Sequence, residues 1–332
     1  MPRGNNFPQE QQFARALIIG PSKAGKTHWV CEAATAGYNI LYLDGDNSKA
    51  TILKAAGEHA HRIYYMDCHD ALEHPRFNRV VKRILQEPEV IWNDTEQRFH
   101  TRLHPVDETH EYWRISAPRL NSNWIFVMDS WSTYAFSLVW EWSVDNSVDL
   151  YELTNNDLSM YGSIGTAATA TLHTLACLPC HLVVTAHPDE FVKFKKLPGK
   201  QNKKMSEQEV EWSRLIPKST SRPHGNTMAP LFPDVLWIEI DAQRQRYIDG
   251  RVAADKDGGG HFDGRELSSK YSFANLVLAA GGDAPTDDLG DAITIYPPGE
   301  YQPATAQGNK PLDATEAPVT NQGLGALLGG QK

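Results

Sequence analysis

The chain has 332 residues, 41% of them hydrophobic and 22% charged, and a formal net charge of −9. This is enough to bury one large core with additions, and the acidic balance excludes a surface that is basic throughout, so any contact with nucleic acid must be a local patch. No stretch approaches the roughly 18 uncharged apolar residues of a membrane helix, and Met1 to Gln12 are polar without a signal-peptide core, so a cytoplasmic protein with no membrane partner is expected.

Residues 1–12 read as a flexible N-terminus, and alternating β and α patterns run from residue 13 to about 187. Strands are predicted at Arg15 to Ile19, Asn39 to Leu43, Arg62 to Met66, Trp124 to Met128 and Leu182 to Ala186, with helical segments after each of the first four. That succession predicts a doubly wound α/β fold with a mostly parallel sheet. Between the third and fourth strands lies an insertion at about 87–123. Its alternating stretches Phe99 to Leu103 and Glu111 to Ile115 suggest a hairpin of its own. Val235 to Ile240 and Arg246 to Ile248 read as a later hairpin extending the sheet. From Gly281 onward, fifteen of the last 52 residues are Gly or Pro, with seven acids against two lysines. Residues 281–332 are therefore expected to be a disordered acidic tail after a core spanning 13–280.

Directly after the first strand comes Gly20-Pro21-Ser22-Lys23-Ala24-Gly25-Lys26-Thr27, which fits G-x-x-x-x-G-K-[ST] in full. Strand, glycine-rich turn and helix in that order make a phosphate cradle, because backbone N–H groups and the helix N-terminus both face an anion. ATP is the expected ligand of Gly20 to Thr27 and the following His28. Lys26 would contact the β- and γ-phosphates, and Thr27 would hold Mg²⁺. A plain Gly-rich turn is the alternative. The strand Trp124 to Met128 ends in Asp129, as needed to place a carboxylate near the cation held by Thr27.

After the second strand, Asp44-Gly45-Asp46 lies at the carboxyl edge where open α/β sheets bind ligands. A carboxylate there orients or deprotonates attacking water. Asp46 is the candidate, since Asp44 continues the strand; a helix-capping role for Asp46 is the competing reading. His187 ends the fifth strand at the same edge, either touching the γ-phosphate or simply lying at the surface. Cys177-Leu178-Pro179-Cys180-His181 matches a haem-attachment spacing, with His173 one turn earlier. A buried thiol pair is the plainer account, because His181 opens an apolar strand.

Phe191 to Lys204 is the clearest pointer to a partner. It holds Lys193, Lys195, Lys196, Lys200, Lys203 and Lys204, no acid, and interleaved Phe191 and Phe194. Lysines neutralise phosphates without reading sequence, and phenylalanines stack on exposed bases. Within a basic loop at about 188–225, this segment is expected to bind single-stranded DNA, against the alternative of a solvated lysine loop.

The octet GPSKAGKT resembles the P-loop of RecA, and the strands ending at Asp44-Gly45-Asp46 and at Asp129 are similar to its water-activating and Mg²⁺-linked strands. The loop after His187 resembles its second DNA-binding loop. Met160-Tyr161-Gly162 through Leu175, with Leu178-Pro179 and His181 to His187, is similar to phage-type RecA-like ATPases of the single-strand-annealing and recombination group, over about residues 13 to 280. The resemblance implies a RecA-like P-loop NTPase core, DNA-stimulated ATP hydrolysis with Mg²⁺, and homo-oligomeric rings or filaments. It also implies cooperation with a single-strand-binding protein and, for a phage-encoded chain, residence in the bacterial host cytoplasm. The chain departs from the pattern in carrying Asp46 where RecA has Glu, which implies slow turnover, and His187 where RecA has an amide. A cation from a neighbouring subunit is implied, with Lys218, Arg214 and Arg222 as candidates. Other RecA-like motors, a helicase or a packaging ATPase, and a nucleotide-gated clamp that does not hydrolyse ATP remain alternatives.

Overall fold

The structure, a computed structural model, describes residues 13–70, 75–101, 104–148, 158–194, 210–241, 243, 245–250, 266–267, 272–286 and 290–303. Apolar runs make its central strands: β1 (Arg15–Ile19), β2 (Asn39–Asp44), β7 (Trp124–Asp129) and β8 (His181–Ala186) are buried almost throughout. Strands covered on both faces need no polar alternation, which is why the sequence shows continuous runs there. With β3 (Ile63–Asp67) and β11 (Asp234–Ile240) they form the parallel part of an eight-stranded sheet, in the order β11-β1-β8-β7-β2-β3. β12 (Arg246–Asp249) and β13 (Glu266–Leu267) add antiparallel strands beyond β11.

Alternate residues along each strand face opposite layers. Leu17, Leu41, Phe126 and Val184 point into one core, with α3 (Arg76–Gln86), α4 (Trp131–Asp145) and α5 (Leu158–Ala176). Ile18, Ile40, Val127 and Val183 point into the other, with α1 (Lys26–Cys31), α2 (Lys49–Ala56) and α7 (Phe273–Ala279). The result is an α/β fold with helices on both faces of a mostly parallel sheet. None of the described helices is long and apolar enough to cross a membrane.

The insertion is more than a hairpin. β4 (Val90–Asn93), β5 (Arg98–Phe99) and β6 (Tyr112–Ile115) pair antiparallel with a strand from far downstream, β14 (Ile293–Tyr296), in the order β14-β6-β4-β5. Trp92, Trp113 and Ile115 bury against the main core, where the Tyr64 ring meets Trp113 edge-on at 5.6 Å.

β14 corrects the expected tail. Ile293 pairs with Ile115 and Ile295 with Trp113, Thr286 exchanges two hydrogen bonds with Asn123, and Tyr301 stacks on Tyr112 at 4.8 Å. Residues 283–286 and 290–303 thus belong to the folded body. Four β residues, Ile-Thr-Ile-Tyr, suffice because β6 already offers an unpaired edge. Residues 304–332 lie outside the described residues.

The segment expected as a basic loop also has regular structure at its base. β9 (Pro188–Phe194) pairs antiparallel with β10 (Val210–Pro217), and α6 (Arg222–Met228) follows, capped by the Ser221 hydroxyl.

Candidate nucleotide and metal site

Gly20 to Thr27 wrap tightly because glycine is required at both ends of the turn. A Cβ on Gly20 would lie 2.2 Å from the carbonyl oxygen of Ile238 on β11, and Gly25, at φ 92°, caps α1 in the left-handed region. Lys23 also has positive φ, at 65°. The Lys26 ammonium is folded back into the turn, donating to the carbonyls of Gly20 at 2.7 Å and Pro21 at 3.0 Å. Burial pulls its pKa down, while the negative charges of Asp129 and Asp46 pull it up; burial prevails.

In the first turn of α1, Thr27 donates its hydroxyl to Asp129 Oδ2 at 2.9 Å. Asp129 is 1% exposed, and three further hydroxyls surround it. Tyr42 of β2 and Ser48 donate to the same oxygen, and Thr185 of β8 donates to Oδ1. A buried carboxylate ringed by hydroxyls beside a threonine is a set of hard oxygen donors, the kind that suits Mg²⁺.

Asp44 and Asp46 separate into two roles. Asp44 is fully buried and ties the turn, accepting from the N–H groups of Asp46 at 3.0 Å and Ser48 at 2.6 Å and from the Tyr65 hydroxyl at 3.1 Å. Burial raises its pKa to about 6, opposed by the Ser48 N–H and assisted by Asp129. Asp46 turns the other way, into the cleft. It accepts from Ser130 at 3.0 Å and from Thr133, and its Oδ2 lies 3.1 Å from His187 Nε2. Burial opposes its ionisation, yet the hydrogen bonds from His187, Thr133 and Ser130 and the histidine charge hold its pKa below the usual carboxylate range. The N-cap of α2 is Ser48, so capping is not where the Asp46 side chain is engaged. Gly45 between the two acids admits no side chain: a Cβ would meet the Phe77 ring at 2.4 Å.

His187 joins this site to the β9–β10 hairpin. Its N–H donates to Ser132 Oγ at 3.0 Å, its carbonyl accepts from the Lys218 N–H at 2.7 Å, and β9 begins at the next residue. The indole of Trp131, at the start of α4, donates to Ser219 at 2.9 Å.

The structure therefore brings Lys26, Thr27, Asp46, Asp129 and His187 to one cleft of about 600 Å³, with Ser22, Lys23 and Gly25 on its wall. His28 instead pairs with Glu32 at 3.1 Å on the outer face of α1. Phe191, Lys193 and Phe194 fall on β9 rather than in a loop; Lys195, Lys196, Lys200, Lys203 and Lys204 lie outside the described residues. Lys218 is exposed beside the hairpin and Arg214 donates to Asn226, both apart from the cleft wall; Arg222 opens α6. Cys180 is buried but Cys177 is exposed, correcting the expected buried pair. His181 is buried between the Ala14 N–H and the Ser122 carbonyl, and burial lowers its pKa to about 4. No metal-binding group of three or more His, Cys, Asp or Glu occurs among the described residues.

Sequence reasoning missed Tyr42, Ser48, Thr185, Ser130 and Thr133, because hydroxyl residues acquire a role only when strand register sets them beside a carboxylate. It also missed Arg246 of β12, whose guanidinium rests on Gly25.

No protein-family model matches the sequence, and no curated protein matches it significantly. Among solved structures the chain is similar to the RadB recombinase, with 12% identical residues, 72% of this chain and 80% of that chain covered, and a TM-score of 0.35.

Proposed function

We propose that the chain is a RecA-like ATPase that couples ATP binding and hydrolysis to the binding of single-stranded DNA, in the manner of the phage recombination and strand-annealing group. The observation that carries this reading is the convergence of Lys26, Thr27, Asp129 and Asp46 on one cleft, with His187, also on its wall, running directly into the hairpin bearing the lysine and phenylalanine segment.

The cradle fits a nucleoside triphosphate: a left-handed glycine opens α1, the turn leaves no room for a side chain at Gly20, and a buried ammonium stands ready to leave two backbone carbonyls for phosphate oxygens. Thr27 and Asp129 would hold Mg²⁺, which when bound supplies positive charge to the phosphates. Tyr42 and Thr185 hold the two oxygens of Asp129 in place. Asp46, kept ionised by its three hydrogen bonds, takes the proton of the attacking water at a carboxylate oxygen. The pair His187–Asp46 ties the state of the cleft to the base of the hairpin, so DNA affinity follows nucleotide state. Ring or filament assembly, a cation from the next subunit and help from a single-strand-binding protein belong to the same proposal.

Titrating a labelled oligonucleotide with and without a non-hydrolysable ATP analogue tests it. Tighter binding with the analogue supports the coupling. Indifference to single-stranded DNA in every nucleotide state refutes the DNA function.

A further inference from the structure

Arg246 is a feature of the cradle that comes from far along the chain, 221 residues beyond Gly25. It sits on β12, in register with Ile240 at the end of β11, and its side chain is 17% exposed. The guanidinium spans two partners. Nη1 donates to the carbonyl of Gly25 at 3.5 Å, and Nη2 lies 3.2 and 3.4 Å from the two carboxylate oxygens of Glu32, on the residue that closes α1. A Cβ on Gly25 would lie 3.1 Å from Arg246 Cδ, so the arginine stem fills the space beside the glycine.

Gly25 is the residue whose left-handed backbone sets the direction of the first N–H groups of α1, those of Lys26 and Thr27. Its carbonyl also accepts the Trp29 N–H at 3.0 Å. A cation that holds this carbonyl while ion-paired to the other end of the same six-residue helix fixes both the rotation of α1 and the conformation of the turn.

We infer that Arg246, braced by Glu32, is a positioning residue for nucleotide binding: it acts through Gly25 and does not touch the reacting atoms. The inference rests on the reading of Gly20 to Thr27 as an ATP cradle. Its loss should raise the free energy of the bound state and leave the chemistry to Lys26, Asp46 and Asp129. A charge-assisted hydrogen bond of this kind is worth roughly tenfold in an equilibrium constant.

The test compares the dissociation constant and KM for ATP with kcat in the full chain, its Arg246→Gln, Arg246→Lys and Glu32→Gln variants, and the double Gln variant, each checked for folding by thermal unfolding. Arg246→Gln should raise Kd and KM about tenfold with kcat within about twofold. Arg246→Lys, which keeps the stem on Gly25 and a charge for Glu32, should recover part of the loss. The double variant should bind no worse than Arg246→Gln alone, because both changes break the same ion pair. Parent-like Kd in folded Arg246→Gln, or a fall in kcat at constant KM, overturns the inference while leaving the cradle intact. A parent chain that binds no ATP overturns the cradle reading and the brace with it. If Arg246→Gln does not fold, Glu32→Gln decides: an unchanged Kd there overturns the brace.

Discussion

Replacing Asp46 with Asn removes the proposed base with almost no change in shape. The amide oxygen still accepts from Ser130 and Thr133, and the amide nitrogen takes the position now 3.1 Å from His187 Nε2, which must then present its lone pair. The cradle is untouched, since Lys26 bonds to backbone carbonyls and Thr27 to Asp129. ATP affinity should therefore stay within a few fold of the parent. Proton abstraction by a positioned carboxylate contributes ~10² to 10⁴-fold, equivalent to about 3 to 5 kcal/mol in the barrier. Single-turnover hydrolysis of labelled ATP under saturating enzyme, measured beside a nucleotide-binding titration, separates the two. The expected result is unchanged binding with hydrolysis slowed at least a hundredfold. Hydrolysis at the parent rate would refute the role of Asp46 and leave it a member of a structural hydrogen-bond network.

Lys26→Ala should abolish turnover while the fold persists, because the ammonium it removes is the one proposed to serve phosphate and, among the described residues, it bonds only to two turn carbonyls; a folded variant with parent activity contradicts the cradle. The acid limb of kcat should lie near pH 6 and belong to Asp44. Its folded pKa of about 6 is raised above the ordinary 3.8, so protonation on falling through pH 6 adds stability relative to the unfolded chain even as it takes an acceptor from the turn that aims Asp46. Asp44→Asn, a neutral mimic of the protonated acid, should hold kcat near its low-pH value across the range and so remove the step near pH 6, and a step that stays put assigns it elsewhere. Exchanging Lys195, Lys196, Lys203 and Lys204 for Gln should flatten the salt dependence of oligonucleotide binding by about 0.7 in slope for each phosphate of a single strand that is no longer neutralised. An unchanged slope removes these lysines from the DNA surface.

The parallel strands were legible because burial on both faces turns them into apolar runs, as in Trp124–Asp129, and the strand, turn and helix around Gly20 to Thr27 because they follow one another without interruption from Arg15 to Cys31. The four-stranded side sheet was not. Ile293–Tyr296 gains its strand character from Tyr112–Ile115, some 180 positions away, and its Gly- and Pro-rich flanks resemble a tail. Lysine-rich composition hid β9 in the same way, since its pairing depends on β10. At the site, Asp46 could be separated from Asp44 by position along the strand, and the cleft shows the difference in hydrogen bonds: backbone N–H groups on Asp44, side chains of α4 and His187 on Asp46. The hydroxyls around Asp129 and the Arg246 brace depend on which strands become neighbours, and no local pattern encodes that.

In the proposed function, one cleft hydrolyses ATP and answers to single-stranded DNA through His187 and the β9–β10 hairpin. Steady-state ATP hydrolysis with Mg²⁺, measured with and without single-stranded DNA, decides whether it does. Hydrolysis should be slow alone, rise severalfold with single-stranded DNA, and be absent in folded Lys26→Ala. Hydrolysis that single-stranded DNA leaves unchanged, in a chain shown to bind ATP, would contradict it.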